Sequence, residues 1–391
     1  MNELESKIKS FQSNLKEFSK KYGENSYCFQ DREMPPVPVM CSSGSLSLDN
    51  ALSIGGIPEG RIIEIGGQES SGKSTISLFT IAEAQKKGKL CAYIDVEQAF
   101  DPHYASILGV DVKNLFVVQP DTMEETFEML FDLISSGTMS CIIVDSTNAM
   151  IPKKMLEGDT DTAMMGKSAL LMSQQLPKVV SLASSHKCTI IFISQIRSKV
   201  GVVYGSPEKI GVGESLKFYA SIRIKTKRAE VEKDKEGEEG QQSVDITMDI
   251  FKNKVGIPYK KAKITLLTGK EGKFGIDVIK EVIDFGVDFG FIEKSGAWYT
   301  VGGDRFQGTK NLHVYIENNK ELYDELKLKI TKKLKEERKV LSIVSNNFNE
   351  AISQIKEDME DNNEDNNDND VDSHNDDPIE EEKPKRRSSK K

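Results

Sequence analysis

Four short apolar runs recur through the first half of the chain, and each of them ends in polar residues. The runs are RIIEI at 61–65, LCAYIDVE at 90–97, CIIVDS at 141–146 and TIIFISQ at 189–195. Segments with helical character separate them. Strands that alternate with helices are typical of a mostly parallel sheet covered by helices, and ligands bind such sheets beyond the carboxyl ends of the strands. The pattern therefore predicts an α/β fold with a binding site at that edge.

The first run leads into the glycine-rich stretch GGQESSGKST at 66–75, after which a helical pattern begins. From Gly67 to Ser74 the stretch fits G-x-x-x-x-G-K-[ST], a phosphate loop. Backbone N–H groups and the helix dipole favour a triphosphate there. Lys73 would reach its β- and γ-phosphates, and the Ser74 hydroxyl would ligate Mg²⁺. The predicted nucleotide-binding residues are Gly67, Gln68, Glu69, Ser70, Ser71, Gly72, Lys73, Ser74 and Thr75.

Polar side chains at the ends of the other runs suit the chemistry of a bound triphosphate. Asp145 suits a carboxylate that holds Mg²⁺ and its waters, and Glu97 could orient the water that attacks the γ-phosphorus. Gln195 carries a donor and an acceptor, so it could sense the γ-phosphate. A single acidic strand end is often only capped or solvated, but several at one edge favour a site. Tyr104 could stack on a base or could be an ordinary surface tyrosine.

The first 40 residues have a different pattern. Apolar side chains alternate at spacings of four and three and predict one amphipathic helix; they are Leu4, Ile8, Phe11, Leu15 and Phe18. Residues 24–40 contain three prolines and no helical period, which indicates an extended connector. The helix could fold back on its own core or dock on a neighbouring copy of the chain, and the long connector favours the neighbour.

Composition adds limits on the kind of protein. No run of about 18 apolar residues and no signal-peptide pattern occurs, so we expect a soluble, cytoplasmic protein. The five cysteines form no C-x-x-C pair, and we expect buried, reduced thiols. Residues 357–391 carry 14 acidic and 6 basic side chains, so this tail holds most of the net charge of −9. Its acidic part should be disordered. The final KPKRRSSKK is either a solvated tip or a contact for nucleic acid or an acidic partner.

Longer stretches identify a family. The segments SSGSLSLDNALSIGGIPEGRIIEIGGQESSGKST, YIDVEQAFDP, VVQPDT, IIVDS, ISQIRSKVGVVYG, LKFYAS, KNK and EKSGAWY occur in this order between about residue 42 and about residue 300. Together they resemble the bacterial RecA recombinase family. The resemblance is far more specific than the phosphate loop, because it is collinear over most of the chain.

The resemblance implies a function. RecA-like proteins form helical filaments on single-stranded DNA, with ATP between adjacent subunits, and they pair the strand with homologous duplex DNA. By residue match, Glu97 is the catalytic carboxylate and Gln195 couples the γ-phosphate to the DNA loop. Asp101 and Tyr104 hold the adenine. Lys252 and Lys254 reach the γ-phosphate of a neighbouring subunit; without the family, ordinary surface charges would be the better interpretation of both.

Two segments are expected to bind the DNA backbone without reading its sequence. They are 157–166 and 196–213, although from composition alone plain surface loops would be the better interpretation. The predicted DNA-binding residues are Met165, Gly166, Ser173, Arg197, Lys199, Val200 and Gly213. The chain departs from the family pattern near these segments at Val212, Glu214 and Pro177, and near the adenine at Thr268, which leaves DNA affinity, nucleotide preference and speed of hydrolysis open.

We therefore expect four regions: an oligomerisation helix with its connector (1–40), a RecA-like ATPase core (41–269), a small α+β domain that contacts duplex DNA (270–345), and an acidic tail with a basic tip (346–391). The expected cofactors are ATP and Mg²⁺, and the expected partners are single-stranded DNA, duplex DNA and further copies of the chain. A single-strand-binding protein and a self-cleaving repressor stay open as partners. The alternatives are another RecA-fold motor, such as a ring helicase, or a regulatory recombinase paralogue.

Overall fold

A computed structural model describes residues 37–157, 164–198, 208–210, 215–229, 243–269 and 272–339, together with the single residues 7, 20 and 21. The strands are β1 (Val39–Cys41), β2 (Ile57–Pro58), β3 (Ile62–Gly67), β4 (Leu90–Asp95), β5 (Leu115–Val118), β6 (Met139–Asp145), β7 (Thr189–Ser198), β8 (Glu208–Ile210), β9 (Ile222–Arg228), β10 (Ser243–Asn253), β11 (Lys260–Thr268), β12 (Phe274–Ile276), β13 (Glu293–Ser295), β14 (Trp298–Val301) and β15 (Asp304–Gln307).

The helices are α1 (Leu46–Ala51), α2 (Lys73–Lys86), α3 (Pro102–Ile107), α4 (Met123–Ser135), α5 (Lys153–Leu156), α6 (Met164–Ser185), α7 (Leu216–Tyr219), α8 (Val278–Asp288) and α9 (Thr309–Asn318). Residues 320–335 are also helical. All of these elements belong to one compact unit that ends at Lys335. In the second unit, which begins at Glu336, the described residues 336–339 are helical. No helix in the described ranges is both long and apolar enough to span a membrane.

One large sheet organises the first unit. Its strand order is β12-β11-β10-β9-β3-β7-β6-β4-β5. From β9 to β5 all neighbours are parallel, whereas β10, β11 and β12 continue the sheet antiparallel. The predicted α/β fold with a mostly parallel sheet is therefore confirmed. All four apolar runs predicted as strands are strands of its parallel part.

The strands of this sheet are buried on both faces, because helices cover both sides of a parallel sheet. Alternate residues point to opposite faces. Ile63 and Ile65 pack with helix α2 in one core cluster, while Ile62 and Phe192 pack with helices α4 and α6 in another. A sheet fixed on both faces holds its strand ends rigidly, which is what a site at that edge requires.

A third cluster lies towards the end of the first unit. Helices α8 and α9 and the helical residues 320–335 pack around the antiparallel sheet β13-β14-β15. This is the small α+β arrangement expected for the C-terminal part of the chain. Asp277 begins α8 by accepting a hydrogen bond from the Lys280 N–H, and it also pairs with His313 of α9 at 2.8 Å.

Two segments that were expected to be loops need correction, and two further expectations concern residues that the structure does not describe. The segment 196–213 is not a loop throughout, because the end of β7 pairs antiparallel with β8, with Ile196 opposite Ile210. Segment 157–166 likewise ends in helix, since α6 begins at Met164. Main-chain pairing uses N–H and C=O groups that nearly every residue carries, so the sequence of side chains did not indicate it here. The expected N-terminal stripe and the acidic tail lie outside the described residues.

Four of the expected buried thiols are confirmed. The cysteines at 41, 91, 141 and 188 are free and buried, whereas Cys28 lies outside the described residues. Burial raises the pKa of the Cys188 thiol to about 12. These side chains therefore belong to the core rather than to a reactive site.

Candidate functional site

The phosphate loop connects β3 to helix α2 and depends on close backbone approaches. Gly72 has φ of 80°, and a Cβ there would come within 2.6 Å of Ile246 and 2.7 Å of Leu266. A Cβ at Gly67 would come within 2.0 Å of the Thr226 hydroxyl. No side chain caps the start of α2, so its first N–H groups remain directed at the loop. This is the geometry in which a helix binds an anion.

Short hydrogen bonds hold the loop in shape. The Ser71 hydroxyl lies 2.7 Å from the Gln68 carbonyl oxygen and 2.6 Å from the Thr226 hydroxyl of β9. The Lys73 ammonium donates to the same Gln68 carbonyl at 2.7 Å. Burial lowers the pKa of Lys73, although nearby carboxylates including Asp145 oppose the shift. A partly desolvated cation thus lies inside the loop, where phosphate oxygens would meet it.

Ser74 and Asp145 meet beside the loop. The Ser74 hydroxyl and the Tyr93 hydroxyl both donate to Asp145 Oδ2, at 2.7 and 2.6 Å. Burial raises the pKa of Asp145, and these hydrogen bonds oppose the rise. Within the described residues no group of three or more His, Cys, Asp or Glu side chains forms a metal cage. A hydroxyl and one carboxylate nevertheless fit Mg²⁺, which binds few protein ligands and keeps waters and substrate phosphates.

Glu97 lies next to Ser74 and Asp145, and one of its two carboxylate oxygens accepts hydrogen bonds. Its Oε1 accepts a hydrogen bond from the Ser146 hydroxyl and one from Gln195 Nε2, the latter at 3.0 Å. Asn148 fixes Gln195 from both sides, by accepting from its N–H at 2.7 Å and donating to its carbonyl at 3.2 Å. Glu97 Oε2 has no hydrogen-bond partner in the described chain. That oxygen is available to a water molecule.

The predicted adenine residues lie on the other side of the loop. Asp101 caps helix α3 by accepting from the N–H groups of His103 and Tyr104, at 2.8 and 3.1 Å. The Tyr104 hydroxyl is 2.9 Å from the Thr75 hydroxyl, and its ring meets Phe274 edge-on with centroids 6.1 Å apart.

Phe274 explains one departure from the family pattern. It is the partner of Thr268 across the β11–β12 ladder. Thr268 stands where the resemblance leads us to expect an aromatic residue. An aromatic ring therefore lies beside that position, but it comes from the neighbouring strand.

Lys252 of the KNK stretch is held by main-chain carbonyl groups outside the phosphate loop. Lys252 donates to the carbonyl oxygens of Lys217 and Phe218, the latter at 3.3 Å. Burial, followed by the charges of Lys254 and Arg223, lowers the pKa of Lys252. In the described ranges no hydrogen bond or ion pair joins either lysine to the phosphate loop of its own chain.

The predicted DNA-binding residues are described only in part. Gly166 and Ser173 lie on helix α6, where Gly166 is exposed and Ser173 is half-buried. The Ser173 hydroxyl donates to the Leu170 carbonyl at 2.8 Å. Met165 and Arg197 lie in α6 and β7, where their backbone alone is described. Lys199, Val200 and Gly213 lie outside the described residues.

Three residues of the site escaped the sequence-based prediction: Tyr93, Asn148 and Thr226. Tyr93 lies within the apolar run that predicted β4. A hydroxyl in a buried run could have been noticed, because a buried tyrosine usually needs a hydrogen-bond partner. Thr226 contacts the loop only because β9 lies beside β3, with Gly67 opposite Thr226. No feature of the sequence around Thr226 indicates that the phosphate loop is its neighbour.

Comparison with known proteins agrees with this arrangement. The family described as RecA N-terminal domain matches residues 9–273, and the family described as RecA C-terminal domain matches residues 280–335. The chain is 42% identical to "Protein RecA" of Desulforapulum autotrophicum over 85% of its own length and 94% of that protein's. It is 42% identical to "Protein RecA" of Kineococcus radiotolerans over 83% and 92% of the two lengths. The chain belongs to the RecA family.

Proposed function

We propose that this chain is an ATP-dependent DNA recombinase, a DNA-dependent ATPase that promotes homologous pairing and strand exchange in recombination and repair. The observation that carries the proposal is the meeting of Ser74, Asp145, Glu97 and Gln195 beside the phosphate loop, in a chain of the RecA family. We place its activity in the cytoplasm.

ATP is the substrate in this proposal. The N–H groups at the start of α2 bind its phosphates, and Lys73 exchanges the Gln68 carbonyl for a phosphate oxygen. Ser74 and Asp145 would hold Mg²⁺, which when bound neutralises charge on the β- and γ-phosphates. Asp101 and Tyr104 hold the adenine, and the exposed edge of Phe274 extends that surface.

Glu97 acts on the attacking water. Its Oε1 is fixed by Ser146 and Gln195, so Oε2 is the atom that orients the water and accepts its proton. Glu97→Gln keeps the shape of the side chain and removes the base. We expect this variant to bind ATP and DNA but to hydrolyse ATP on the order of 10²–10⁴ times more slowly. Near-normal turnover would remove Glu97 from this role.

Gln195 connects nucleotide to DNA. It contacts Glu97 from β7, which also carries Arg197 near its end, and Lys199 and Val200 follow β7 in the sequence. A γ-phosphate that draws Gln195 away from Glu97 would shift the end of β7. We infer that this movement orders the DNA-binding segments around a single strand, together with Gly166 and Ser173 of α6 and with Met165 and Gly213.

Further copies of the chain complete the ATP site. Lys252 and Lys254 have no contact with their own loop among the described residues, which supports action on the ATP of a neighbouring subunit in a filament. A Lys252→Ala/Lys254→Ala variant mixed with a Lys73→Ala variant should then regain DNA-dependent hydrolysis at mixed interfaces. Absence of rescue, with both variants folded and co-assembled, would place the lysines in their own subunit's site.

The direct test of the function is strand exchange between a circular single strand and a homologous linear duplex. We expect joint molecules and nicked circles in the presence of ATP and Mg²⁺, and none with Lys73→Ala, the matched control. Unwinding without pairing would overturn the recombinase proposal and favour a helicase. The small α+β part of the chain should contact the duplex, while a single-strand-binding protein and a self-cleaving repressor are candidate partners.

A further inference from the structure

The loop that carries Glu97 is closed around the carboxylate of Asp95. Asp95 ends β4 and is 2% exposed. Its Oδ1 accepts from the Ala99 N–H at 3.1 Å, and its Oδ2 accepts from the Phe100 N–H at 3.0 Å. Gln98, between Asp95 and Ala99, has φ of 54°. Glu97 therefore lies in a tight turn whose shape depends on one buried carboxylate.

A glutamine from the neighbouring strand holds that carboxylate. Gln119 follows β5 directly, and the ladder places Val118 opposite Ile94. The Nε2 atom of Gln119 donates to Asp95 Oδ2 at 2.8 Å. Gln119 is itself exposed, so its side chain could lie in solvent but reaches inward to the acid instead. A hydrogen bond to an ionised group is stronger than one between neutral groups.

The other side of the turn is attached to β6. The N–H groups of Val96 and Glu97 both donate to the Asp145 carbonyl, at 2.7 and 3.2 Å. The backbone before Glu97 is thus fixed by the strand that carries the proposed Mg²⁺ ligand. The backbone after Glu97 is fixed by Asp95, and Gln119 is the side chain that orients Asp95.

We propose that Asp95 and Gln119 are positioning residues for Glu97, which act in ATP hydrolysis without touching the nucleotide. This inference rests on the proposed function of Glu97. Because the reacting water must be aligned closely with the γ-phosphorus, a displacement of about 1 Å at Glu97 is enough to slow hydrolysis on the order of 10- to 100-fold. The phosphate loop lies between β3 and α2 and is not part of this turn.

The test uses Gln119→Met, which keeps the length of the side chain and removes the donor. With the full chain on single-stranded DNA, we expect kcat for ATP to fall on the order of 10-fold while KM stays within about 2-fold. Gln85→Met is the matched control, because Gln85 also makes hydrogen bonds from the surface, to Asp111 at 2.9 Å, but lies outside the site. Its kcat should be unchanged. Asp95→Asn should resemble Gln119→Met.

A double variant separates positioning from general damage. In a Glu97→Gln background the Gln119→Met change should cause no further slowing, because it acts only through Glu97. Unchanged kcat in Gln119→Met, a matching rise in KM, or additive slowing in the double variant would overturn the inference. Normal hydrolysis by Glu97→Gln alone would instead overturn the proposed catalytic role.

Discussion

A buried glutamate makes stability depend on pH in a way that one substitution isolates. Glu281 of α8 accepts hydrogen bonds from the Ser45 hydroxyl and from the Leu46 N–H at 2.8 Å. Burial raises its pKa from an ordinary 4.5 to about 7, against the effect of these hydrogen bonds. The folded chain therefore retains a proton that the unfolded chain releases near pH 4.5.

The sign follows from the number of protons bound. Between pH 4.5 and about 7 the folded state binds more protons than the unfolded state, so this contribution is fully present below pH 4.5 and is lost as pH rises through about 7. Each pKa unit corresponds to about 1.4 kcal/mol. The whole window is therefore worth about 3 kcal/mol for this one side chain.

We expect the stability of the native chain relative to Glu281→Gln to fall by about 3 kcal/mol from pH 4.5 to pH 8, so that the native chain is the more stable of the two at pH 4.5 and the less stable at pH 8. Glutamine cannot titrate, and its amide loses one hydrogen bond at every pH, a constant cost of about 1 kcal/mol. Urea unfolding followed by the fluorescence of Trp298, the single tryptophan of the chain, measures this, because Trp298 lies on β14 in the small sheet that packs with α8.

Glu293→Gln is the control, because Glu293 is exposed on β13. Glu281 is present in both the native chain and Glu293→Gln, so its contribution cancels from the difference between these two proteins. Asp49 is also buried, with a pKa raised to about 6. It is present in all three proteins, and its charge contributes to the raised pKa of Glu281 that the comparison measures. Parallel pH curves for the native chain and Glu281→Gln would refute the reasoning.

Three further outcomes are expected. Tyr93→Phe removes one donor to Asp145, so the Mg²⁺ concentration for half-maximal ATPase activity should shift several-fold. The free energy of unfolding should change by about 1 kcal/mol. An unchanged Mg²⁺ titration would contradict this expectation. Phe127→Ala empties a fully buried site and should destabilise the chain by about 3–5 kcal/mol in urea unfolding. Ending the chain after Lys356 removes the acidic tail, so binding to duplex DNA should tighten at low salt, and the gain should fade above about 0.1 M salt. Truncation after Glu382 removes only the basic tip and is the control. Equal duplex affinities for all three forms across a salt titration would show that the tail does not inhibit duplex binding.

The local sequence was sufficient for the strands that carry the chemistry. Unbroken apolar runs predicted β3, β4, β6 and β7, because a parallel sheet buried on both faces needs apolar residues on both sides of each strand. The phosphate loop was equally readable, since only glycine fits where Gly72 meets Ile246 and Leu266. The polar strand ends predicted one shared site at that edge of the sheet, where Ser74 contacts Asp145 and Gln195 contacts Glu97.

The amino-acid sequence by itself determined which residues end strands and which turn binds an anion, because spacing and glycine are local properties. Only the tertiary structure decided which strands are neighbours, and with them the contacts of Thr226 with the loop, of Phe274 with Tyr104 and of Gln119 with Asp95. The pairing of β7 with β8, inside a segment expected to be a loop, was decided in the same way. Each of these contacts joins residues whose separation along the chain carries no information about their distance in space, and the sheet order sets that distance.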